Sequence, residues 1–250
     1  MAPSLIHACW SVLPAPDEKP VYVRRMFDTI AGRYDQVNRL MTFGLDQGWR
    51  HVAVDEVAAG IRRTSHEVVV LDVGTGTGDF LPILSRALPG ATVVGVDFSL
   101  QMMRAGYAKS TTLRGGGGFA GGDALRLPFQ DDTFDGVTTG FALRNVGDLP
   151  QALREIRRVT RPGGRLACLE VAQPANPILR LGHRLYFNRV VPLIGGVLSG
   201  NRTAYSYLPQ SAAQFPRPDA LCALLREAGW QRPRYRLLGL GAVAVHTADK

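Results

Sequence analysis

Cysteine, lysine and long apolar runs are scarce in this chain of 250 residues. Its three cysteines, Cys9, Cys168 and Cys222, lie far apart and form no CxxC pair, which argues against a disulfide framework and a structural zinc site. No apolar run reaches the roughly 20 residues of a membrane-spanning helix, and the first ten residues lack the basic start of a secretory signal. We therefore expect a reducing compartment, a cytoplasmic location and no integral membrane segment.

Basic residues outnumber acidic ones, 29 against 21, and only three of them are lysines. A GC-rich genome alone gives such an arginine bias, so the net charge of +8 does not by itself identify an anionic partner. The distribution of the charge is more informative, because residues 174–218 contain five arginines and no acidic residue. That segment favours contact with an anionic membrane surface, and the alternative is a packed subdomain with solvated arginines.

Strand-like and helix-like patterns alternate along most of the chain. Apolar, β-branched runs such as Val68–Val73 and Thr92–Asp97 are typical of strands buried on both faces of a parallel sheet. Strands are predicted at residues 68–73, 92–97, 118–122, 136–141, 165–171, 235–240 and 242–247. The last two are joined too tightly for a helical crossover and should pair antiparallel. The pattern predicts an α/β fold with a doubly wound, mostly parallel, seven-stranded sheet.

The remaining segments suggest one domain with two additions. Residues 1–20 are rich in proline and are predicted to form a loose N-terminal arm, and residues 21–250 form the domain, beginning with a helical region at 21–63. The run of glycines at 115–118 predicts a surface loop. Residues 174–216, rich in aromatics and proline, interrupt the alternation and are predicted to form a helical lid over the substrate.

A glycine-rich turn with an acid at each end, Asp72-Val73-Gly74-Thr75-Gly76-Thr77-Gly78-Asp79, directly follows the first strand. Ligands of open α/β sheets bind at this edge, and glycines let the backbone approach them closely. The spacing is GxGxG rather than the GxGxxG of dinucleotide sites, and the acids would repel a pyrophosphate. S-adenosylmethionine, which has an amino group and a sulfonium but no phosphate, fits better. The predicted cofactor-binding residues of the turn are Asp72, Gly74, Gly76, Thr77 and Gly78.

Two further acids end the next two strands. Asp97 ends the second strand, where a carboxylate can accept both ribose hydroxyls of an adenosine. The alternative is a helix N-cap, a role for which Ser99 competes. Asp123 and Ala124 end the third strand, where an adenine edge would lie, and the alternative for Asp123 is an Asx-turn.

Several motifs resemble those of a known family. They are Met26–Asp35 with Asn38, Phe43-Gly44 and Trp49-Arg50; Phe134-Asp135 with Phe141–Val146; Arg161–Arg165 with Leu169-Glu170; and Tyr205–Ser211 with Phe215-Pro216. Over about residues 25–247 the sequence resembles the ubiquinone/menaquinone biosynthesis C-methyltransferases, which methylate demethylmenaquinol and polyprenyl benzoquinols. Leu143–Val146 and Tyr207–Pro209 are the most selective pieces, whereas most class I methyltransferases share the glycine turn.

The resemblance implies a Rossmann-like class I methyltransferase fold with a helical lid and a last strand that is antiparallel. It implies S-adenosylmethionine as the methyl donor and the ring carbon of a prenylated quinol as the acceptor, with demethylmenaquinol ahead of a benzoquinol. The family's cofactor contacts fall on Thr77, Asp97, Asp123 and Ala124. One family contact, a serine before the phenylalanine of the second signature, is Gly140 here, so its hydroxyl is missing.

The chemistry requires no metal, but the ring carbon becomes an adequate nucleophile only when the adjacent phenol loses its proton. Arg144 and Asn145 follow the fourth strand, and the family places both beside the quinone ring. Because arginine stays protonated, Arg144 is predicted to lower the pKa of the phenol and to orient a water that takes the proton. Tyr34 is a third candidate, as a ring contact or water orienter. No histidine has a sequence context that indicates a base.

Each of these residues also has a structural alternative. Arg144 could form a surface salt bridge, Asn145 could cap a turn, and Tyr34 could pack in the core. The competing function is a methyltransferase of another aromatic small molecule or natural product. An RNA methyltransferase is disfavoured, since the chain lacks an Asn/Asp-Pro-Pro-aromatic tetrapeptide and a Pro-Cys pair, and we expect no nucleic-acid partner. The sequence leaves open a homodimer through the aromatic lid.

Overall fold

The computed structural model describes residues 18–61, 66–199 and 202–250. The predicted N-terminal arm, residues 1–20, lies outside them except for its last three residues. Of these three, Lys19 and Pro20 already belong to the first helix, so the helical region begins earlier than residue 21.

Within the described residues, seven strands form one sheet in the order β3-β2-β1-β4-β5-β7-β6. The strands are β1 (Val69–Val73), β2 (Thr92–Asp97), β3 (Gly117–Gly121), β4 (Phe134–Gly140), β5 (Thr160–Val171), β6 (Gln231–Leu238) and β7 (Val243–Asp249). Strands β1 to β5 pair in parallel, and β7 lies antiparallel between β5 and β6. This topology confirms the predicted mostly parallel sheet and its antiparallel last strand. The strand order reverses at β1 and β4, so a ligand crevice is expected at their carboxyl ends.

Eleven α-helices surround the sheet in the described part of the chain. They are α1 (Lys19–Ile30), α2 (Tyr34–Met41), α3 (Leu45–Gly60), α4 (Leu81–Ala87), α5 (Leu100–Ala105), α6 (Tyr107–Ser110), α7 (Leu149–Val159), α8 (Pro177–Leu185), α9 (Val191–Ser199), α10 (Arg202–Gln214) and α11 (Pro218–Glu227). Side-chain caps fix several starts, because Asp148 accepts the amide of Gln151 at 2.9 Å and Asn176 accepts the amide of Ile178 at 2.9 Å.

Each face of the sheet has its own core. Along β5 the side chains alternate, with Leu166 and Cys168 in one core and Ala167 and Leu169 in the other. Helices α7 and α11 contribute to the first core, and α3 and α4 contribute to the second. Burial on both faces explains why the central strands are continuous apolar runs.

A third apolar cluster joins the N-terminal helices to the lid. Val23, Phe27 and Val37 from α1 and α2 pack against Met102 of α5 and Tyr207 of α10, and Tyr207 is fully buried. The helices of the predicted lid, α8 to α10, therefore lie beside the N-terminal helices.

Two sequence predictions need correction. The glycine run at 115–118 is not entirely a loop, because Gly117 and Gly118 belong to the edge strand β3 and pair with Val93 and Val94 of β2. Strand β5 begins at Thr160 rather than at residue 165. The glycines after Pro162 continue it with an irregularity, since Gly163 donates to the carbonyl of Lys250 at 2.9 Å and Gly164 accepts the amide of Lys250 at 2.9 Å.

Candidate active site

The glycine turn after β1 adopts a conformation that requires its glycines. Gly74, Gly76 and Gly78 have φ angles of 67°, 56° and 78°, in the left-handed region. A Cβ on Gly74 would lie 2.3 Å from the Cβ of Ala142. The backbone is held on β2, because the amides of Gly74 and Thr75 donate to the carbonyl of Val96 at 2.9 and 3.0 Å. The turn is thus a fixed backbone cradle at the carboxyl edge of the sheet.

Asp72, at the start of the turn, is a buried acid with one oxygen left unpaired. Its side chain accepts a hydrogen bond from Thr138 Oγ1 at 2.8 Å, whereas Oδ2 has no partner among the described residues. Burial raises the pKa of Asp72 to about 7, against the opposing effects of the Thr138 hydrogen bond and the Arg50 charge. A buried oxygen of this kind is a ready acceptor for a cationic ligand group.

Asp79, at the other end of the turn, is already neutralised by the protein. Lys109 Nζ lies 2.5 Å from Asp79 Oδ1 and 2.6 Å from Asp35 Oδ2, and Thr77 Oγ1 donates to Asp35 Oδ1 at 2.6 Å. Burial alone would raise the pKa of Asp79, but the charges of Arg50 and Lys109 outweigh it and lower that pKa. Of the two acids, only Asp72 remains available, and Thr77 ties the turn to α2.

A small cavity, here called the glycine-loop cavity, opens beside the turn. The predicted residues that line it are Gly74, Asp97, Asp123, Ala124 and Asn145, and its other lining residues are Val23, Val73, Val96, Phe98, Gly122, Leu125, Ala142, Leu143, Val146 and Gly147. Neither lysine nor arginine is among these described lining residues. Asp72, Gly76, Thr77 and Gly78 lie in the adjoining turn rather than on the lining.

The acids of this cavity are held by backbone amides. Asp97 Oδ2 accepts the amide of Gly76 at 2.8 Å and Oδ1 accepts the amide of Ser99 at 2.8 Å. Ser99, not Asp97, caps α5 by accepting the amide of Met102 at 3.2 Å. Asp123 does form the Asx-turn considered as its alternative, accepting the amide of Leu125 at 2.9 Å, while it also lines the cavity.

A larger cavity of about 340 Å³, the apolar cavity, lies between the N-terminal helices and the lid. Aromatic and aliphatic side chains form most of its lining, including Trp49, Phe141 and Phe187. Its polar or titratable lining residues are Tyr34, Asn38, Thr42, Asp46, Arg50, Arg144, His183 and Tyr186. Such a site suits a flat apolar molecule with a few polar atoms.

The structure separates the two predicted ring-side residues. Arg144 and Asn145 lie on one short 3₁₀ turn, Leu143–Asn145, yet Arg144 lines the apolar cavity and Asn145 lines the glycine-loop cavity. Asn145 donates from Nδ2 to the carbonyl of Phe141 at 3.3 Å, and its Oδ1 is buried without a partner. This turn is therefore the boundary between the two cavities.

Arg144 forms a buried ion pair rather than a surface salt bridge. Its Nη1 lies 3.1 Å from Glu170 Oε2, and the two side chains are 7% and 0% exposed. Glu170 also accepts the backbone amides of Arg144 at 3.2 Å and Val171 at 3.1 Å. The guanidinium lies 5.6 Å from the centre of the Phe141 ring, within cation–π range. The sequence analysis named Glu170 only as part of a family motif and predicted no role for it.

Tyr34 combines the predicted site position with core packing. Its ring meets that of Phe27 edge-on at 5.8 Å, and it also lines the apolar cavity. Burial raises the pKa of Tyr34, and the charges of Arg144 and Arg50 oppose that effect only in part. The phenol is therefore a hydrogen-bond donor at neutral pH.

The ion pair between Arg50 and Asp46, which the sequence analysis missed, lines the apolar cavity. Arg50 Nη1 lies 2.7 Å from Asp46 Oδ2, and Asp46 also accepts Thr42 Oγ1 at 2.9 Å and Gln47 Nε2 at 3.0 Å. Four-residue spacing on a helix was the available signal. The guanidinium of Arg50 lies 5.6 Å from the ring centre of Phe80.

Phe80 also explains the departure at position 140. A Cβ on Gly140 would lie 2.5 Å from the Phe80 ring, so the aromatic side chain fills the space in which a serine would stand. A serine at position 140 would therefore require the Phe80 ring to move.

Comparison with known proteins shows the family of this chain. A model of the ubiE/COQ5 methyltransferase family matches residues 15–250. The chain is 53% identical over 240 residues to a demethylmenaquinone methyltransferase of Roseiflexus castenholzii, covering 96% of this chain and 98% of that protein. It is 44% identical over 238 residues to a Deinococcus radiodurans protein of the same name, covering 93% of this chain and 94% of that one.

The fold is shared with more distant proteins of known structure. A SAM-dependent methyltransferase from Aquifex aeolicus superimposes with a TM-score of 0.55 at 20% identity, covering 78% of this chain and 88% of that one. This similarity confirms the predicted methyltransferase fold. The family match and the two close relatives confirm the predicted family. The chain belongs to the ubiE/COQ5 methyltransferase family.

Proposed function

We propose that this protein transfers a methyl group from S-adenosylmethionine to a ring carbon of a reduced, prenylated naphthoquinol, demethylmenaquinol. The names of its relatives support the acceptor. The observation that carries the proposal is the turn Leu143–Asn145, in which Arg144 lines the apolar cavity and the next residue, Asn145, lines the smaller, acid-lined glycine-loop cavity. A bisubstrate methyl transfer needs two such compartments in contact.

The glycine-loop cavity and its turn fit S-adenosylmethionine better than a dinucleotide. That molecule supplies an electrophilic methyl group on a sulfonium. Asp72 has a buried, unpaired oxygen for the cationic methionyl end, and Asp97 retains lone pairs for the ribose hydroxyls. Asp123 and Ala124 lie where the adenine edge would bind. Because no cation is among the described residues lining this cavity, a pyrophosphate would find only carboxylates there.

The apolar cavity fits the quinol ring and the start of its prenyl chain. Arg144 places a permanent positive charge at the wall next to the donor side, where it stabilises negative charge that develops on the phenol oxygen. Glu170 pairs with the Arg144 guanidinium and fixes its position. Tyr34 presents a protonated hydroxyl to the same cavity. The aromatic and aliphatic lining excludes water, which strengthens both interactions.

We further propose that the lid docks on an anionic membrane surface, where a prenylated quinol resides. Ile178, Leu181 and Leu185 share one face of α8 and are 81%, 67% and 60% exposed. Arg184 and Arg189 are exposed beside them, with no acid between residues 174 and 218. No helix in the part of the chain that the structure describes has the length and apolarity to cross a bilayer. The arrangement favours a peripheral contact.

Product analysis tests the proposed function. Purified protein given methyl-labelled S-adenosylmethionine should place one labelled methyl on a ring carbon of demethylmenaquinol, with lower kcat/KM for a prenylated benzoquinol. Simple phenols, flavonoids and RNA serve as comparison acceptors. Mass spectrometry and NMR of the product identify the methylated atom. Transfer to a phenol oxygen, or preference for a non-prenylated acceptor, would contradict the proposal.

Replacing Asp72 by Asn should weaken binding of the demethylated by-product, S-adenosylhomocysteine, about 10-fold or more, because a charge-assisted hydrogen bond is lost. Wild-type affinity should also fall as the pH drops below the Asp72 pKa of about 7, and the variant should lack that dependence. Calorimetry between pH 6 and 8 measures both effects.

The control for Asp72 is Asp55→Asn, an exposed acid on α3. The pKa of Asp72 is higher in the folded protein than in the unfolded chain, so its ionised carboxylate destabilises the fold at pH 8. The Asn variant should therefore unfold at no lower temperature there. Unfolding of Asp72→Asn would therefore not explain a loss of binding. Unchanged affinity at all pH values would refute the assigned role.

Arg144 should affect turnover and not donor binding. Arg144→Ala alone would leave Glu170 buried without its partner, at a cost of about 3–5 kcal/mol, so the informative variant is Arg144→Gln with Glu170→Gln. We expect kcat to fall about 10²-fold or more and the affinity for S-adenosylhomocysteine to stay within about twofold. Arg144→Lys, which keeps the charge, should retain more activity than the neutral double variant. Equal loss of donor binding and turnover would argue against this role.

Flotation with vesicles tests membrane docking. Binding to vesicles that contain phosphatidylglycerol should be strong at low salt and weaker at high salt, and binding to phosphatidylcholine vesicles should be weak. Arg184→Gln with Arg189→Gln should reduce binding, whereas Arg154→Gln on α7 is the control. Absence of binding at either salt concentration would rule the surface out.

A further inference from the structure

His183 of α8 lines the apolar cavity. The sequence analysis assigned no role to this residue. Its Nε2 atom is buried and has no hydrogen-bond partner among the described residues. The imidazole stacks on Phe187 with ring centres 4.5 Å apart, which fixes the orientation of the ring. Buried imidazole nitrogens are normally paired, so an unpaired one in a substrate cavity points to a partner that the substrate brings.

The placement of His183 follows from its helical spacing. Counted from His183, three other lining residues follow at three, four and eight positions, which places them on one face of the helix. They are Tyr186, Phe187 and Val191. The π-helical turn Tyr186–Val190 continues α8 and keeps this face directed at the cavity. Turns of this type often occur at functional sites.

The arginines and the acid on the described lining are not placed to act as a base. An arginine side chain has only donors, which excludes Arg50 and Arg144. Asp46 is occupied by three donors, from Thr42, Gln47 and Arg50.

The two lining tyrosines are proton donors. Burial raises the pKa of Tyr34 and of Tyr186, so both phenols remain protonated. Tyr186 in addition donates its hydroxyl hydrogen to the carbonyl of Met41 at 2.7 Å.

His183 differs from all of these groups because it can offer an unpaired acceptor nitrogen. Burial lowers the pKa of His183 below its usual range, so the imidazole is neutral at pH 7 and carries a free lone pair. The charged or titratable groups that share the cavity with it, and those on its own helix, are Tyr34, Asp46, Arg50, Arg144, Tyr186, Arg180 and Arg184.

We propose that Nε2 of His183 is the general base that takes the phenol proton of the quinol, which makes His183 a catalytic residue. This proposal rests on the proposed function, because it needs a phenolic acceptor in the apolar cavity. Arg144 then stabilises the phenolate, and a separate water is not needed as the proton acceptor.

The proton and electron balance is complete without another reactant. The phenol O–H bond breaks and its proton bonds to Nε2, while the oxygen electrons move into the ring. The ortho carbon forms the new bond to the methyl group, and the electrons of the methyl–sulfur bond remain on sulfur. The ring C–H bond then breaks and its proton leaves to water, the ring becomes aromatic again, and the carbonyl oxygen recovers the proton from Nε2. One proton is released in total.

Two substitutions of His183 test the proposal with demethylmenaquinol as acceptor. His183→Gln and His183→Phe should lower kcat about 10²- to 10⁴-fold, the usual contribution of a general base. The affinity for S-adenosylhomocysteine, measured by calorimetry, should stay within about twofold of wild type. His51→Gln, at an exposed position of α3, is the matched control and should keep wild-type turnover.

The pH profile separates a base from a packing residue. Wild-type kcat/KM should fall as the pH drops through the His183 pKa, because only the neutral imidazole accepts a proton. In His183→Gln the rate should instead keep rising toward the pKa of the phenol.

Two further tests address the proton transfer itself. With a ring-fluorinated quinol, which is a stronger acid, the substitution should reduce kcat less. Imidazole in the buffer should partly restore the activity of His183→Ala.

The possible outcomes are distinct. If wild type methylates demethylmenaquinol and His183→Gln shows the same turnover and pH profile, His183 is not the base and the proposed function stands. If both variants lose activity equally for ordinary and fluorinated quinols and His183→Ala shows no rescue, His183 is only structural. If wild type does not methylate the quinol, the proposed function itself is wrong.

Discussion

The ion pair between Arg144 and Glu170 fixes the turn that lies between the apolar cavity and the glycine-loop cavity. Glu170 is fully buried in β5 and also holds the backbone amide of Arg144, so the pair sets both the charge and the path of the chain. Separating the partners would leave a carboxylate without compensation in the core, which is far more costly than breaking an exposed pair. The position of Asn145 on the donor side and of Arg144 on the acceptor side therefore has little freedom to change.

The N-terminal helices serve both cavities at once. Tyr34 and Asn38 of α2 line the apolar cavity, and Asp35 on the same helix binds Thr77 of the glycine turn and Lys109. Lys19 of α1 donates to the carbonyl of Val146 at 2.9 Å, beyond the dividing turn. If the two cavities hold the donor and the acceptor as proposed, we expect a movement of this helical layer to affect both sites and so to couple their binding.

Local sequence patterns predicted the parts of the fold that depend on local chemistry. Buried strands require β-branched runs and the cradle requires glycines, so β1, β2 and the turn could be read directly. Gly117 was assigned only to a surface loop because strand pairing with β2, not side-chain preference, makes it extended. The pairing of Glu170 was missed because its partner, Arg144, lies 26 residues away in the sequence. The position of His183 was missed because only the folded structure brings α8 to the apolar cavity. The different environments of the two acids that flank the turn could not be predicted, since the three cations that pair with Asp79 come from α2, α3 and α6.

The size of the apolar cavity limits how much of a bound molecule it can enclose. A cavity of about 340 Å³ is large enough for a bicyclic ring but not for a long isoprenoid tail. Phe43 and Leu240 line the cavity and are 77% and 79% exposed, so the cavity reaches the surface. If the proposed quinol binds here, its tail would extend past these two residues, and the protein would distinguish acceptors by their head group rather than by tail length.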